Sequence, residues 1–104
     1  MSITVTHQPE QARFTAQVDG DEAGAIDYER RGDDVAFLHT VVDPAFEGRG
    51  IGSALAREAL DVARREGWGV LPHCSFIQAY VERHPEYLGL VPVARRAEFS
   101  LPGA

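Results

Sequence analysis

A glycine-rich stretch between an apolar segment and an amphipathic one constrains this chain more than any other feature. The stretch spans residues 47–53, Glu-Gly-Arg-Gly-Ile-Gly-Ser, with glycine at three alternate positions. Glycine has no Cβ and tolerates positive φ, so a ligand can approach the backbone and successive N–H groups can face one concavity. A helix that follows directly adds its unpaired amide donors and the positive end of its dipole. The pattern therefore predicts a binding site for a phosphate or pyrophosphate.

Two other phosphate-binding motifs do not fit this stretch. A P-loop requires a lysine after its last glycine, and the chain contains no lysine. A dinucleotide fingerprint requires glycine where Ser53 stands, and too little chain follows to form the second half of such a domain. We therefore exclude a P-loop nucleotide triphosphatase and consider a dinucleotide-binding domain a poor match.

The composition limits the partners. Sixteen acidic residues against ten basic ones give a net charge of −6, which argues against a nucleic-acid partner. Cys74 is the only cysteine, so neither an internal disulfide nor a cysteine zinc site is expected, and a reducing cytoplasm is the expected location. Charged residues and a proline interrupt residues 1–18, which predicts no signal peptide and no membrane span.

Four strands are predicted before the glycine-rich stretch. Their sequences alternate apolar and polar residues or are rich in β-branched residues, and turn-forming residues separate them. The most apolar of the four is expected to be central in the sheet, and Asp43-Pro44 ends it because proline has no N–H to donate. The predicted strands are residues 3–6, 13–18, 23–30 and 35–42.

After the stretch, apolar residues recur at helical spacing. The spacing predicts an amphipathic helix over residues 53–66, which Gly67 ends. Residues 69–74 are predicted as a short strand. Pro72 places that strand at a sheet edge or makes it diverge from its neighbour, and the sequence favours neither alternative over the other.

A second helix and a last strand are predicted near the C-terminus. Ser75 is expected to cap the N-terminus of a helix over residues 76–83. A short strand is expected over residues 87–93, and residues 95–104 are expected to form a flexible tail. The prediction is therefore one domain over residues 1–94, followed by that tail.

Four segments give the chain a specific resemblance. Residues 42–55 resemble the acyl-CoA pyrophosphate loop of the GNAT N-acyltransferases, whose core is Gln/Arg-x-x-Gly-x-Gly/Ala, with Glu47 at the Gln/Arg position. His39-Thr40 and residues 72–76 and 80–87 resemble the minimal, single-domain YjdJ-like branch of that superfamily. The resemblance implies an α+β fold, a mixed and mostly antiparallel sheet with two packed helices, which is the GNAT fold without its N-terminal helices.

The resemblance also implies acetyl-CoA as the ligand. The CoA pyrophosphate would lie on the glycine-rich stretch, and the pantetheine arm would lie along the strand end that precedes it. No pair of histidines has metal-ligand spacing, so no metal is expected. The implied CoA-binding residues are Thr40, Val41, Val42, Glu47, Gly48, Arg49, Gly50, Ile51, Gly52, Ser53, Ser75, Tyr80 and Arg83.

Three residues are candidates for the chemistry, each with a structural alternative. Cys74 matches the proposed catalytic cysteine of the resembled branch and precedes a predicted helix, whose N-terminal amides stabilise a thiolate, although a lone cysteine is commonly a core residue. Tyr80 matches the superfamily tyrosine that protonates the leaving CoA thiolate, or it is a core aromatic. His39 would accept the proton of the amine, because the glutamate base of histone-acetylating relatives has no counterpart here. The alternative, which the sequence favours, is a histidine hydrogen-bonded within the sheet.

The sequence therefore predicts a cytoplasmic N-acetyltransferase that transfers acetyl from acetyl-CoA to an amine. Substrate-binding helices are absent from the predicted elements, so the acceptor is not identified and an exposed amine on a protein is favoured. The alternative is a non-catalytic acyl-CoA-binding or interaction module, because the carboxylate base is missing. A monomer or weak homodimer is expected, with no nucleic-acid or membrane partner.

Overall fold

Five strands form one sheet whose spatial order is the order along the chain. The computed structural model describes residues 2–103. The first four strands pair antiparallel with their neighbours, and the fifth pairs with the fourth in parallel. The predicted mixed, mostly antiparallel sheet is therefore confirmed. The strands are β1 (Ile3–Gln8), β2 (Arg13–Val18), β3 (Asp21–Arg31), β4 (Asp34–Val42) and β5 (Gly69–Pro72).

Two α-helices, α1 (Ile51–Glu66) and α2 (Ser75–Arg83), pack against this sheet. α1 contacts all five strands and buries its apolar face, as its helical spacing predicts. It ends at Gly67, whose φ of 74° lets Gly67 and Trp68 donate backbone hydrogen bonds to the last turn. α2 covers the β4–β5 end of the sheet and contacts α1. Within residues 2–103, neither helix has the length and apolarity needed to cross a membrane.

The fourth strand is much longer than the fifth. β4 pairs with β5 only from Asp34 opposite Gly69 to Phe37 opposite Pro72, and β4 then continues to Val42. The pairing stops there because Pro72 has no N–H to donate. β5 is thus both an edge strand and a strand that leaves its neighbour, so the two alternatives for Pro72 are both observed. β4 lies inside the sheet, one place away from the central β3.

Near the C-terminus the predicted strand over residues 87–93 is wrong. Two 3₁₀-helices, Pro85–Leu90 and Val93–Phe99, cover this part of the chain. Pro85 occupies the first turn of its helix, where the fixed φ of proline favours a helical conformation. The outer edge of β5 is only four residues long and ends in proline, so it offers little backbone for a sixth strand.

Three residues of the segment 95–103 pack on the core, whereas the sequence suggested a flexible tail. Phe99 and Leu101 are buried, and Arg96 is 8% exposed and donates a hydrogen bond from Nε to the carbonyl of Val91 at 2.9 Å. Burying a large apolar side chain contributes about 1.5–3 kcal/mol, which helps to offset the entropy lost when the segment is ordered. Ala104 lies outside the described residues.

A buried aromatic cluster surrounds His7 on β1. The His7 ring stacks on Phe14 with centroids 4.3 Å apart, and its Nε2 lies 2.7 Å from the hydroxyl oxygen of Tyr28. Trp68 packs edge-on against the same ring. Desolvation in this cluster lowers the pKa of His7 below its ordinary value of 6.5.

The lowered pKa of His7 predicts that the protein loses stability in mild acid. The folded state binds fewer protons at His7 than the unfolded state. The contribution of neutral His7 to the free energy of unfolding is therefore fully present above pH 6.5, and it is lost as the pH falls through the pKa that His7 has in the folded state. Urea unfolding between about pH 7.5 and about pH 5.5 should therefore show a smaller decrease in unfolding free energy for His7→Gln than for the wild type. Equal decreases for the two proteins would contradict the prediction.

Candidate functional site

The glycine-rich stretch forms a small cavity at the start of α1, here called the cradle. Gly48 and Gly50 both have φ of 79°, the left-handed conformation that favours glycine, and a Cβ at either position would meet nothing within 4 Å. The cradle encloses about 230 Å³. Its lining residues are Val42, Phe46, Glu47, Gly48, Gly50, Ile51, Gly52, Ser53 and Phe76.

The donors of the cradle are backbone amides. The first hydrogen bond of α1 runs from the Ala54 N–H to the Gly50 carbonyl at 3.0 Å, so the helix does not use the amides of residues 51–53. These amides lie at the positive end of the helix dipole, which favours an anion. The side chains of Glu47 and Arg49 are exposed beside the cradle, and the Arg49 guanidinium lies 5.7 Å from the centroid of the Phe46 ring.

Gly52 lines the cradle and also has a packing role that its spacing did not predict. It lies inside α1 and lacks the positive φ of Gly48 and Gly50. A Cβ on Gly52 would lie 2.6 Å from Cζ of Phe76, a residue of the first turn of α2. The missing side chain therefore lets α1 and α2 approach each other, and Phe76 forms one wall of the cradle.

A second cavity, here called the cleft, opens where β4 leaves β5. Beyond Phe37, β4 has no partner strand on that side, and the chain crosses from Pro72 into α2. The Cys74 N–H donates to the Phe37 carbonyl at 2.8 Å, which closes the narrow end of the cleft. The cleft encloses about 440 Å³ and is lined by Leu38, His39, Thr40, Val41, His73, Cys74 and Ser75.

Cys74 lies at the N-cap of α2, and its thiol points toward β4. Ser75, which the sequence suggested as the cap, is instead the first residue of the helix and is exposed. The Gln78 N–H donates to the Cys74 carbonyl at 3.0 Å, so the three amides between them are not used by the helix. Cys74 is 7% exposed, and its Sγ lies 3.0 Å from Oγ1 of Thr40.

His39 is exposed on the wall of the cleft. It pairs across the sheet with Asp27, and its side chain is not buried, so it is not the interior histidine that the sequence favoured. A β-bulge precedes it, because Leu38 is the extra residue between the pairs Phe37–Tyr28 and His39–Asp27. An imidazole at this position has access to solvent and to a ligand in the cleft.

Comparison with known proteins places the chain in a family. A family model for GCN5-related N-acetyl-transferases matches residues 13–90. The chain belongs to the GCN5-related N-acetyltransferase family. This confirms the resemblance of its four motifs. Protein NATD1 of Gallus gallus is 35% identical to this family member over 85 residues, which cover 80% of this chain and 77% of that protein. Protein NATD1 of Homo sapiens is 35% identical over 85 residues, which cover 80% of this chain and 75% of that protein.

Solved structures share the fold of this GCN5-related N-acetyltransferase. The NMR structure of a GCN5-like protein from Staphylococcus aureus has a TM-score of 0.67 over 86% of this chain and 87% of that chain, at 19% identity. The crystal structure of ribosomal-protein-alanine N-acetyltransferase from Brucella melitensis biovar Abortus 2308 has a TM-score of 0.52 at 25% identity. That match covers 57% of this chain and 46% of that chain. These two structural similarities support the minimal GNAT architecture.

Tyr80 and Arg83, two of the predicted site residues of this family member, are not among the residues that line the cradle or the cleft. Tyr80 is 6% exposed, and its ring stacks on His84 with centroids 4.1 Å apart. It lies about 9 Å along the helix axis from Cys74, because a helix rises about 1.5 Å per residue. Arg83 is the last residue of α2 and is exposed. Roles for Tyr80 and Arg83 in chemistry or CoA binding stay predictions.

The structure adds site residues that sequence reasoning missed. Phe46 and Phe76 form walls of the cradle, and Leu38 forms part of the cleft. Phe99 packs its ring edge-on against His73 with centroids 4.9 Å apart, which brings the C-terminal segment beside the cleft. No local pattern marks Phe76 or Phe99, because each reaches the site through a contact between distant parts of the chain, whereas Phe46 and Leu38 directly precede predicted site residues. Within residues 2–103, no group of three or more His, Cys, Asp or Glu side chains could hold a metal ion.

The close approach of Gly52 to Phe76 predicts that Gly52→Ala destabilises the protein by about 1–3 kcal/mol, the usual cost of overpacking. Phe76→Ala should relieve this cost, since the new methyl group would then occupy the space of the ring. Chemical denaturation of the two single variants and the double variant measures the coupling. Strictly additive free energies in this cycle would contradict the contact.

Proposed function

We propose that this protein binds acetyl-CoA and transfers the acetyl group to an amine. The continuity of the cradle with the cleft supports the proposal. Val42 lines the cradle, whereas Val41 and Thr40, the two residues before it, line the cleft that contains Cys74. A strand advances about 3.3 Å per residue, so a ligand anchored beside Val42 needs to extend only about 7 Å along β4 to reach Thr40, whose Oγ1 lies 3.0 Å from the Cys74 sulfur.

The residues of the cradle suit the pyrophosphate of CoA. The unused amides of residues 51–53 supply donors, and the open backbone at Gly48 and Gly50 leaves room for phosphate oxygens. Arg49 adds a positive charge beside the cradle, whereas Glu47 adds a negative one that opposes the phosphates. Backbone donors and the helix dipole would therefore provide most of the attraction.

The free edge of β4 suits the pantetheine arm. In the described part of the chain, no strand pairs with residues 40–42 on the β5 side, and the amide groups of pantetheine can pair with such an edge as an added strand does. Val41 is 63% exposed and would supply apolar contact to the arm. This arrangement would direct the thioester end of the ligand toward Cys74.

When bound, acetyl-CoA supplies an activated acetyl thioester. The Cys74 thiolate would attack the thioester carbon, which forms a new C–S bond and breaks the C–S bond to CoA, and the CoA sulfur leaves as a thiolate that takes a proton. An amine would then attack S-acetyl-Cys74, and a C–N bond replaces the C–S bond and restores the cysteine. His39, which lines the cleft, would accept the proton that the amine loses.

The acceptor that suits this site is an amine on a protein, and we place the reaction in the cytoplasm. The cleft is shallow and borders exposed residues such as His39 and Ser75, so it offers few enclosing contacts to a small molecule. The expectation of a cytoplasmic location rests on cysteine usage and composition alone.

Blocking the cradle should abolish ligand binding without unfolding the protein. Gly50→Asp places a carboxylate where the pyrophosphate would lie and should weaken acetyl-CoA binding by at least about 100-fold in calorimetry, or about 2.7 kcal/mol. Gly32→Asp is the matched control, because Gly32 also has positive φ (64°) and open space around a Cβ but lies in the β3–β4 turn. Acetyl-CoA that binds equally to both variants would refute the cradle.

The chemical role of Cys74 can be separated from ligand binding. Cys74→Ala should reduce acetyl transfer to a polylysine acceptor, or hydrolysis of acetyl-CoA, on the order of 100-fold, with little change in CoA affinity. CoA should also protect the thiol from iodoacetamide, and acetyl-CoA should leave an acetyl group on Cys74 that mass spectrometry detects.

Two other results would indicate a different mechanism or a different function. Full activity in Cys74→Ala together with lost activity in Tyr80→Phe would indicate direct transfer with the tyrosine as proton donor. Acetyl-CoA binding without turnover or acetylation of Cys74 would favour the non-catalytic binding module.

A further inference from the structure

We propose that Thr40 is a positioning residue, whose side-chain hydroxyl orients the Cys74 sulfur and stabilises it as a thiolate. This inference rests on the proposed function, and it assigns to the Thr40 side chain a task separate from the contact that its backbone would make with CoA. The two atoms concerned, Oγ1 of Thr40 and Sγ of Cys74, lie 3.0 Å apart across the narrow end of the cleft.

Cys74 is attached to β4 at two points. Its N–H donates to the carbonyl of Phe37, and its sulfur lies against the hydroxyl of Thr40, three residues further along the same strand. The first attachment is to Phe37, the last β4 residue that pairs with β5, and the second is to Thr40, where that pairing has ended. The main-chain bond fixes the position of the residue, and the side-chain contact selects the direction in which the sulfur points.

The local backbone of β4 fixes the direction of the hydroxyl. The bulge at Leu38 shifts the register between β3 and β4 two residues before Thr40, and a bulge changes the direction of the side chains that follow. Threonine is branched at Cβ, so its χ1 has few accessible values and its hydroxyl is held more firmly than that of serine. The polar group is therefore presented to the sulfur at little entropic cost.

A hydroxyl is suited to both states of the sulfur. The neutral thiol can donate its proton to Oγ1, whereas a thiolate accepts a hydrogen bond from the same hydroxyl. A thiolate with 7% exposure has few water partners and needs such a donor. Among residues 2–103, the other titratable side chains that line the cleft are His39 and His73, both exposed, and no carboxylate or arginine side chain is among the lining residues.

The start of α2 also favours a thiolate, so the test must remove the hydroxyl while leaving the helix intact. Thr40→Val has the same shape without the hydroxyl, and Thr40→Ser retains the hydroxyl without the methyl group. In the absence of any CoA, alkylation of Cys74 by iodoacetamide near neutral pH should be about tenfold slower in the valine variant and within about threefold of wild type in the serine variant.

The possible results distinguish a change in the ionisation of the Cys74 thiol from blocked access of iodoacetamide and from loss of folding. Near pH 10, where thiols in general are ionised, all three proteins should react at similar rates, and slow alkylation of the valine variant there would overturn the proposal by indicating blocked access. Wild-type reactivity of the valine variant near neutral pH would also overturn it. Should thermal unfolding show that Thr40→Val is not folded, Thr40→Ala provides the same comparison. These rates do not depend on acetyl transfer, so the failure of this inference and the failure of the proposed function are distinguishable.

Discussion

The early end of the β4–β5 pairing is the constraint on which the rest of the site depends. Pro72 has no N–H, so the parallel ladder stops opposite Phe37 while β4 continues to Val42. The chain leaves β5 at once, returns a hydrogen bond from Cys74 to Phe37, and begins α2. Because Pro72 lacks an N–H, the cleft forms, the edge of β4 is exposed, and Cys74 lies at that edge.

The packing of α1 on α2 connects the cleft to the cradle. Gly52 has no side chain, so the Phe76 ring fits against α1 and forms a wall of the cradle. Phe76 lies two residues after Cys74 and one after Ser75, so one short helical turn contributes to both cavities. Two helix N-termini thus lie near each other, and each contributes backbone amides that its own helix does not use.

The charge distribution suits a ligand held mainly by the backbone. The chain has a net charge of −6, and Glu47 adds a negative charge beside the cradle, so side-chain charge alone would not attract CoA. Backbone amides and helix dipoles are fixed by the fold and do not depend on side-chain rotamers. Cys74 is likewise not held by side-chain charge. Its sulfur contacts a hydroxyl and lies at the start of a helix, and no lysine or arginine is among the described residues that line the cleft.

Local sequence determined the strands, both helices, the positive φ of Gly48 and Gly50 and the amide donors of the cradle, because each depends on residues a few positions apart. The motif order also identified the family. The sequence alone did not predict the 3₁₀-helix at Pro85–Leu90 or the packing of Phe99 and Leu101 on the core, because those depend on which strand edges and core surfaces remain uncovered after folding. It also did not indicate that Gly52 accommodates Phe76, and it favoured a histidine hydrogen-bonded within the sheet at position 39, whereas His39 is exposed on the wall of the cleft. Contacts between residues more than twenty positions apart, such as Thr40 with Cys74, were decided only by the tertiary structure, since no local periodicity records them.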